Sequence, residues 1–262
     1  MAAAAHPVRT LRELVTSLGA AITLVLADPK PRSIHDLRTG TRRIEAQLEL
    51  LALLPDLPRH AKPAKKAGKL LRKVRRAAGS VRDLDVQRNI VASKSREAAE
   101  LRSLLKDRRS KAAEKLLHTL HKHQAKLTSA LESLLEVLAP AESLTIPVQH
   151  LVSLTLDWYA RKASSAEKQD NRRLHNIRKA AKLARYIAES AISTPTRNLA
   201  RTFESLQQSG GDWHDWHTLS GIAHRELGKS SRLAQDFGRR CEKSLANYQS
   251  HLKSLPEKLS SS

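Results

Sequence analysis

Two short stretches set an imidazole, a guanidinium and a further cation at helical spacing. The first is Ser33-Ile34-His35-Asp36-Leu37-Arg38-Thr39-Gly40-Thr41-Arg42-Arg43. The second, 140 positions on, is Arg173-Leu174-His175-Asn176-Ile177-Arg178-Lys179-Ala180-Ala181-Lys182-Leu183. Both read His-x-x-Arg-x-x-x-basic, and on an α-helix these three residues fall in one narrow stripe. An imidazole N–H, a guanidinium fork and an ammonium all donate to oxyanions, so the stripe suits the holding of an anion. Like charges at this spacing repel, and a bound anion relieves the cost.

A larger basic face lies between the two copies. Lys62, Lys65, Lys66, Lys69, Arg72, Lys73 and Arg76 occupy about a third of a helix circumference, with Arg75 off the stripe. Ala67, Leu70, Leu71, Val74 and Ala78 hold the other side. Solvated helix faces intersperse acids with bases, yet residues 62 to 82 contain no acid. That face is expected to bind anions. A weaker row, Arg108, Lys111, Lys115, His118 and Lys122, fits solvated surface and ligand contact equally well.

Other chemistry is poorly represented. His118/His121/His123 and His214/His217 lack an acid-flanked pair at zincin spacing, so no metal is expected. No glycine-rich loop ends in Gly-Lys-Ser/Thr, no nucleophile elbow occurs, and no carboxylate cluster suits Mg²⁺. A non-enzymatic protein without a cofactor is the expectation, with an enzyme of phosphate metabolism using His35 or His175 as phosphoryl acceptor the less favoured alternative. Asp83, Asp85 and Asp215 read as helix-start residues with dipole or capping roles, and Trp213 and Trp216 as core.

The elements that must carry these groups are helices. The 262 residues hold 3% aromatics and are rich in Leu and Ala, a mixture that favours helix over strand. Segments 8–27, 33–54, 62–78, 80–105 and 108–138 read as helices, Ser33 capping the second, with prolines at 29, 31, 55, 58 and 140 as punctuation. Segments 148–163, 170–190, 196–208, 212–227 and 230–255 repeat the order, the second of them behind a polar loop. A second shared block, Gly79-x3-Asp83 against Gly211-x3-Asp215, recurs at an offset of 132. The expected architecture is all-α: two similar helical bundles, 1–140 and 141–262, from an internal duplication, related by a pseudo-two-fold axis.

A net charge of +21 selects polyanionic partners in general: nucleic acid, anionic lipid or polyphosphate. The lone Cys241 excludes an intrachain disulfide and fits a reducing compartment. Residues 8–27 read as an amphipathic helix rather than a signal peptide, and no stretch is expected to reach transmembrane length.

The sequence resembles the conserved histidine α-helical domain family, CHAD. The resemblance rests on His35-Asp36-Leu37-Arg38-x3-Arg42-Arg43, Arg82-Asp83-Leu84-Asp85-Val86, His175-Asn176-Ile177-Arg178-x3-Lys182-x2-Arg185-Tyr186-x2-Glu189 and Gly211-Asp212-Trp213-His214-Asp215. It covers nearly the whole chain as a single domain of the stand-alone form, since no Glu-x-Glu-x-Lys motif of a triphosphate-tunnel domain is present. It implies a pair of four-helix bundles around a basic central cavity or cleft that binds inorganic polyphosphate, and a cytoplasmic location at polyphosphate granules. His35, Arg38, Arg42, His175, Arg178, Lys182 and Arg185 would line the site, with Arg43 and Lys179 beside them. Leu183 stands where the first copy has Arg43. Nucleic acid is a less favoured partner, because few aromatics are available for base stacking, and no membrane is expected. Protonation of the repeat histidines is expected to tighten binding as pH falls.

Overall fold

Prolines and hydroxyl caps divide the chain into long helices. The computed structural model describes residues 4–164 and 171–260, so the polar loop expected ahead of residue 170 lies outside the described residues. In order come α1 (Pro7–Ala27), α2 (Pro31–Leu51), α3 (Ala61–Ile90), α4 (Arg96–Leu138), α5 (Val148–Ser164), α6 (Asn171–Ala188), α7 (Thr194–Leu227), α8 (Arg232–Lys253) and the short α9 (Leu255–Ser260). The fold is all-α apart from a two-residue antiparallel bridge, β1 (Ala4–Ala5) against β2 (Ile146–Pro147).

Each half has four long helices where the sequence suggested five. Gly79 and Gly210-Gly211 lie inside α3 and α7, because a glycine costs a helix interior only about 1 kcal/mol and does not end it. The break falls instead at residues 91–95, where the Ser95 hydroxyl caps α4 by accepting from the Ala98 amide. Pro31, not Ser33, opens α2, and the Ser33 hydroxyl donates to the Asp28 and Lys30 carbonyls.

Of these mid-helix glycines only Gly210 marks a close approach. A Cβ on Gly79 would stand 3.6 Å from Arg38 Nε, whereas one on Gly210 would meet the Tyr248 ring at 2.8 Å and Arg178 Cγ at 3.1 Å. Gly211 has nothing within 4 Å. Gly210→Ala is therefore expected to cost about 1–3 kcal/mol through overpacking. Gly211→Ala is expected to stabilise by roughly 0.5–1 kcal/mol through helix propensity. Thermal denaturation of the two variants checks this; shifts of the same sign would remove the packing account.

Three apolar clusters hold the helices. The first joins α1 to α4 through Leu11, Ile34, Leu71 and Leu127. A second, in α5 to α9, contains Trp158, Phe203, Trp213 and Tyr248 and takes in Ala46 and Leu50 from α2. The third seals the end of α3 and the start of α4 against α7 and α8, with Leu101, Leu105, Leu219 and Phe237. As a result α2 packs on α6, and α3 and α4 touch α7. Trp213 is core, as the sequence suggested, and Trp216 packs at the edge of the third cluster, 5.5 Å from the Phe237 ring.

One sequence expectation about membranes is corrected. Helix α1 is long and apolar enough to span a bilayer by length and composition. Its apolar side is nonetheless in the first cluster, with Val8, Leu11 and Val25 fully buried. Arg12 forks onto Glu142 at 2.9 and 2.8 Å, and Gln47 of α2 donates to the Pro7 carbonyl at 2.7 Å.

Candidate functional site

The apolar positions of α2 and α6 dictate where their cations go. Burying Ile34, Leu37 and Ile44 on one helix, and Ile177, Ala181 and Ala184 on the other, turns the two His-x-x-Arg stripes toward a common region where the helices pack. Lys182 of α6 lies within electrostatic reach of Arg38 and Arg42 of α2 and of Arg178 and Arg185 of its own helix. His35 feels Arg82, Lys182 and Arg38. The structure thus brings together His35, Arg38, Arg42, His175, Arg178, Lys179, Lys182 and Arg185.

The ligand-free cluster is electrostatically strained. Burial and the surrounding guanidiniums push Lys182 down to about 7. Burial and then Arg75 lower Arg42 to about 10, against the pull of Glu45. Arg42 is 8% exposed. Arg38, Arg42 and Arg178 each keep a buried Nε–H with no protein acceptor. Buried donors normally find a partner, so three in one site point to a ligand acceptor.

Burial and neighbouring cations disfavour protonation of His35, His175 and His214. Burial, then Arg178 and Lys179, hold His175 at about 4, and burial with Arg178 holds His214 at about 3. His35 is lowered by burial and then by Arg82. Arg178 Nη2 lies 3.3 Å from His175 Nδ1. Because a guanidinium can only donate, Nδ1 accepts, and the imidazole proton is fixed on Nε2 as a further donor. The His175 and His214 rings sit 4.8 Å apart. Burial first, and then the cations around them, disfavour the protonated form of both repeat histidines in the free protein.

Carboxylates set among the cations were misread in the sequence. Asp83 and Asp215 are mid-helix residues of α3 and α7, not helix starts, so neither capping nor dipole accounts for them. Asp83 pairs with Arg38 at 3.8 Å, and Asp215 faces Arg178. Burial, then Asp83, raises Asp215 to about 6. Asp85 is buried and takes Arg109 of α4 at 3.0 Å. Glu45 binds both Arg42 at 3.3 Å and Arg75 at 2.7 Å. Arg75, set aside for leaving the α3 stripe, is thus the residue that turns toward the site.

Two expected site residues are already compensated. Arg43 and Arg185 share Glu189 at 3.6 and 2.7 Å, Arg185 also reaches Glu204 at 2.9 Å, and both lie over the Tyr186 ring. The stripe on α3 divides. Arg76 is within electrostatic reach of Lys179, whereas Lys62, Lys65, Lys66, Lys69 and Lys73 line a separate open groove of about 930 Å³ against α4. Arg72 is exposed at the border of the stripe on the Arg75 side. Among the described residues no three His, Cys, Asp or Glu side chains converge as a metal site.

Comparison with known proteins bears on the fold. The crystal structure of the CHAD domain from the plant Ricinus communis superposes with a TM-score of 0.65 at 19% identity, covering 98% of this chain and 92% of that one. PptA from Streptomyces chartreusis gives 0.64 at 15% identity, covering 95% and 98%. No curated protein matches the sequence. The family model of the CHAD domain matches residues 9–224, a span that holds both His-x-x-Arg stripes and the two aspartates that face them. This chain belongs to the CHAD domain family.

Proposed function

We propose that this protein binds inorganic polyphosphate in a central cleft between α2 and α6, as a binding protein rather than an enzyme, and that this binding recruits it to polyphosphate granules in the cytoplasm. The observation that carries the reading is the trio of buried, acceptorless Nε–H groups on Arg38, Arg42 and Arg178 around a Lys182 destabilised by its neighbours. A phosphate chain supplies acceptors and negative charge at once. Arginines contribute forks, lysines point charges, and the neutral His175 an Nε2–H. Release of the counterions condensed on a linear polyanion adds a salt-sensitive driving force.

The cleft is read as the seam between two similar bundles, 1–140 and 141–262, related by an approximate two-fold axis after internal duplication. Supporting this, Arg38 with Asp83 has a counterpart in Arg178 with Asp215. Nucleic acid shares the electrostatics, but both tryptophans of the second shared block are engaged in packing and unavailable for stacking. Competition checks the choice of partner: polyphosphate is expected to displace duplex DNA and single-stranded RNA at far lower phosphate concentration than the reverse. Equal displacement would turn the reading toward generic polyanion binding. Polyphosphate shortened by the protein would turn it toward an enzyme.

A further inference from the structure

The lysine groove on α3 has properties that the central cleft lacks. Its walls are Lys62, Lys65, Lys66, Lys69 and Lys73 of α3 and Lys126 of α4. None of the six makes an ion pair among the described residues, although most arginines of the central cleft have an acidic neighbour. Its floor offers Leu70 and Ala125, too little apolar surface to seat an amphipathic helix. At the Lys73 end stands His123, whose buried Nδ1 has no protein partner and which feels Lys73, Lys122 and Lys126.

The lysines run along the helix rather than around a point. From Lys62 to Lys73 the axis rises about 16 Å, a length suited to a linear charge and not to one headgroup. Rotation about α3 joins the two sites. Arg75 faces Glu45 of α2, Arg72 comes next around the helix, and the lysine wall follows with Arg76, which reaches Lys179 of α6, set within it.

We propose that the α3/α4 groove is a second phosphate-chain subsite, continuous over Arg72 and Arg76 with the α2/α6 cleft, so that one long chain occupies both. This rests on the polyphosphate reading above. The two subsites divide the work. The cleft, with forks and a fixed imidazole donor, selects phosphate. The groove, with ammonium point charges, adds affinity that grows with chain length, because the second contact is intramolecular.

The test is titration calorimetry of the full chain and of Lys65→Ala/Lys66→Ala/Lys69→Ala, using tripolyphosphate and a long-chain polyphosphate at two salt concentrations. All three lysines are exposed, so the variant keeps its fold, which unfolding curves verify. Long-chain affinity is expected to fall roughly tenfold or more, and the salt slope to drop by about 3, one unit per lost phosphate contact. Tripolyphosphate, held in the cleft, should be unaffected. Equal losses for both chains, or none for the long one, would overturn the second subsite while leaving the cleft in place. A long chain unaffected while binding to anionic vesicles is lost would make the groove a lipid surface and overturn the proposal. Wild-type protein that binds neither chain would remove the polyphosphate reading itself.

Discussion

Replacing Arg38 and Arg178 together by alanine is expected to weaken polyphosphate binding by at least a hundredfold. Each guanidinium contributes charge-assisted hydrogen bonds worth about 1.5–3 kcal/mol apiece, and each stands on one of the two facing helices. Removing them also leaves Asp83 and Asp215 without their cations, so two carboxylates confront the incoming chain. Unfolding curves accompany the titration, because Asp215 left without Arg178 costs stability unless it takes up a proton. Arg38→Lys with Arg178→Lys separates charge from geometry: it keeps the point charges and loses the forks, and should recover part of the affinity. Calorimetry at fixed salt reads all three proteins. Alanine variants that bind within a few-fold of wild type would move the site off the α2/α6 seam.

The second large effect is a pH dependence centred on Lys182. In the free protein its pKa is lowered to about 7, first by burial and then by Arg38, Arg42, Arg178 and Arg185. A bound phosphate chain favours the charged form and raises that pKa, so binding takes up a proton above pH 7. Affinity should be flat just below 7 and fall by up to tenfold per unit above it, until the bound-state pKa is passed. Asp215, at about 6, adds in the same direction at lower pH, because its protonation removes a negative charge beside Arg178. His175 and His214 titrate below this window and contribute nothing to it.

Stability must run the other way. Lys182 is depressed from the unfolded value near 10.5, so between about 7 and 10.5 the unfolded chain binds more protons. The ligand-free protein therefore gains stability from this group as pH rises through 7. Lys182→Met should abolish both slopes, weaken binding at pH 6 and stabilise the apoprotein there. Buffers of different ionisation enthalpy measure the proton uptake, and denaturant melts at pH 6 and 9 measure the stability. Wild type and variant with identical pH profiles would show that Lys182 is not the titrating group.

Much of this was legible in the residues. The His-x-x-Arg spacing, with apolar positions opposite, is enough to place His35, Arg38, His175 and Arg178 on the polar sides of two helices. That the two helices face each other depends on long-range packing, which the sequence shows only through the duplication. The counter-charges were harder. Glycines ahead of Asp83 and Asp215 suggest helix starts, yet Gly79, Gly210 and Gly211 are interior positions of α3 and α7. Arg75 was discounted for leaving a stripe, when leaving it is what points it at Glu45. His214 stands out in the sequence only beside His217 and within the second shared block, since its place at the site comes from the neighbouring His175 ring.

The bridge between Ala4–Ala5 and Ile146–Pro147 implies an order of assembly. Pairs of helices adjacent in the chain, such as α3 with α4 and α7 with α8, close short loops and can form early. Bringing the first residues to the middle of the chain closes a loop of about 140 residues, whose entropic cost is on the order of 4 kcal/mol. Two residue pairs and the Arg12–Glu142 fork do not offset that alone. The bridge is therefore expected to latch after α1 has packed against α4, once the first four helices have assembled.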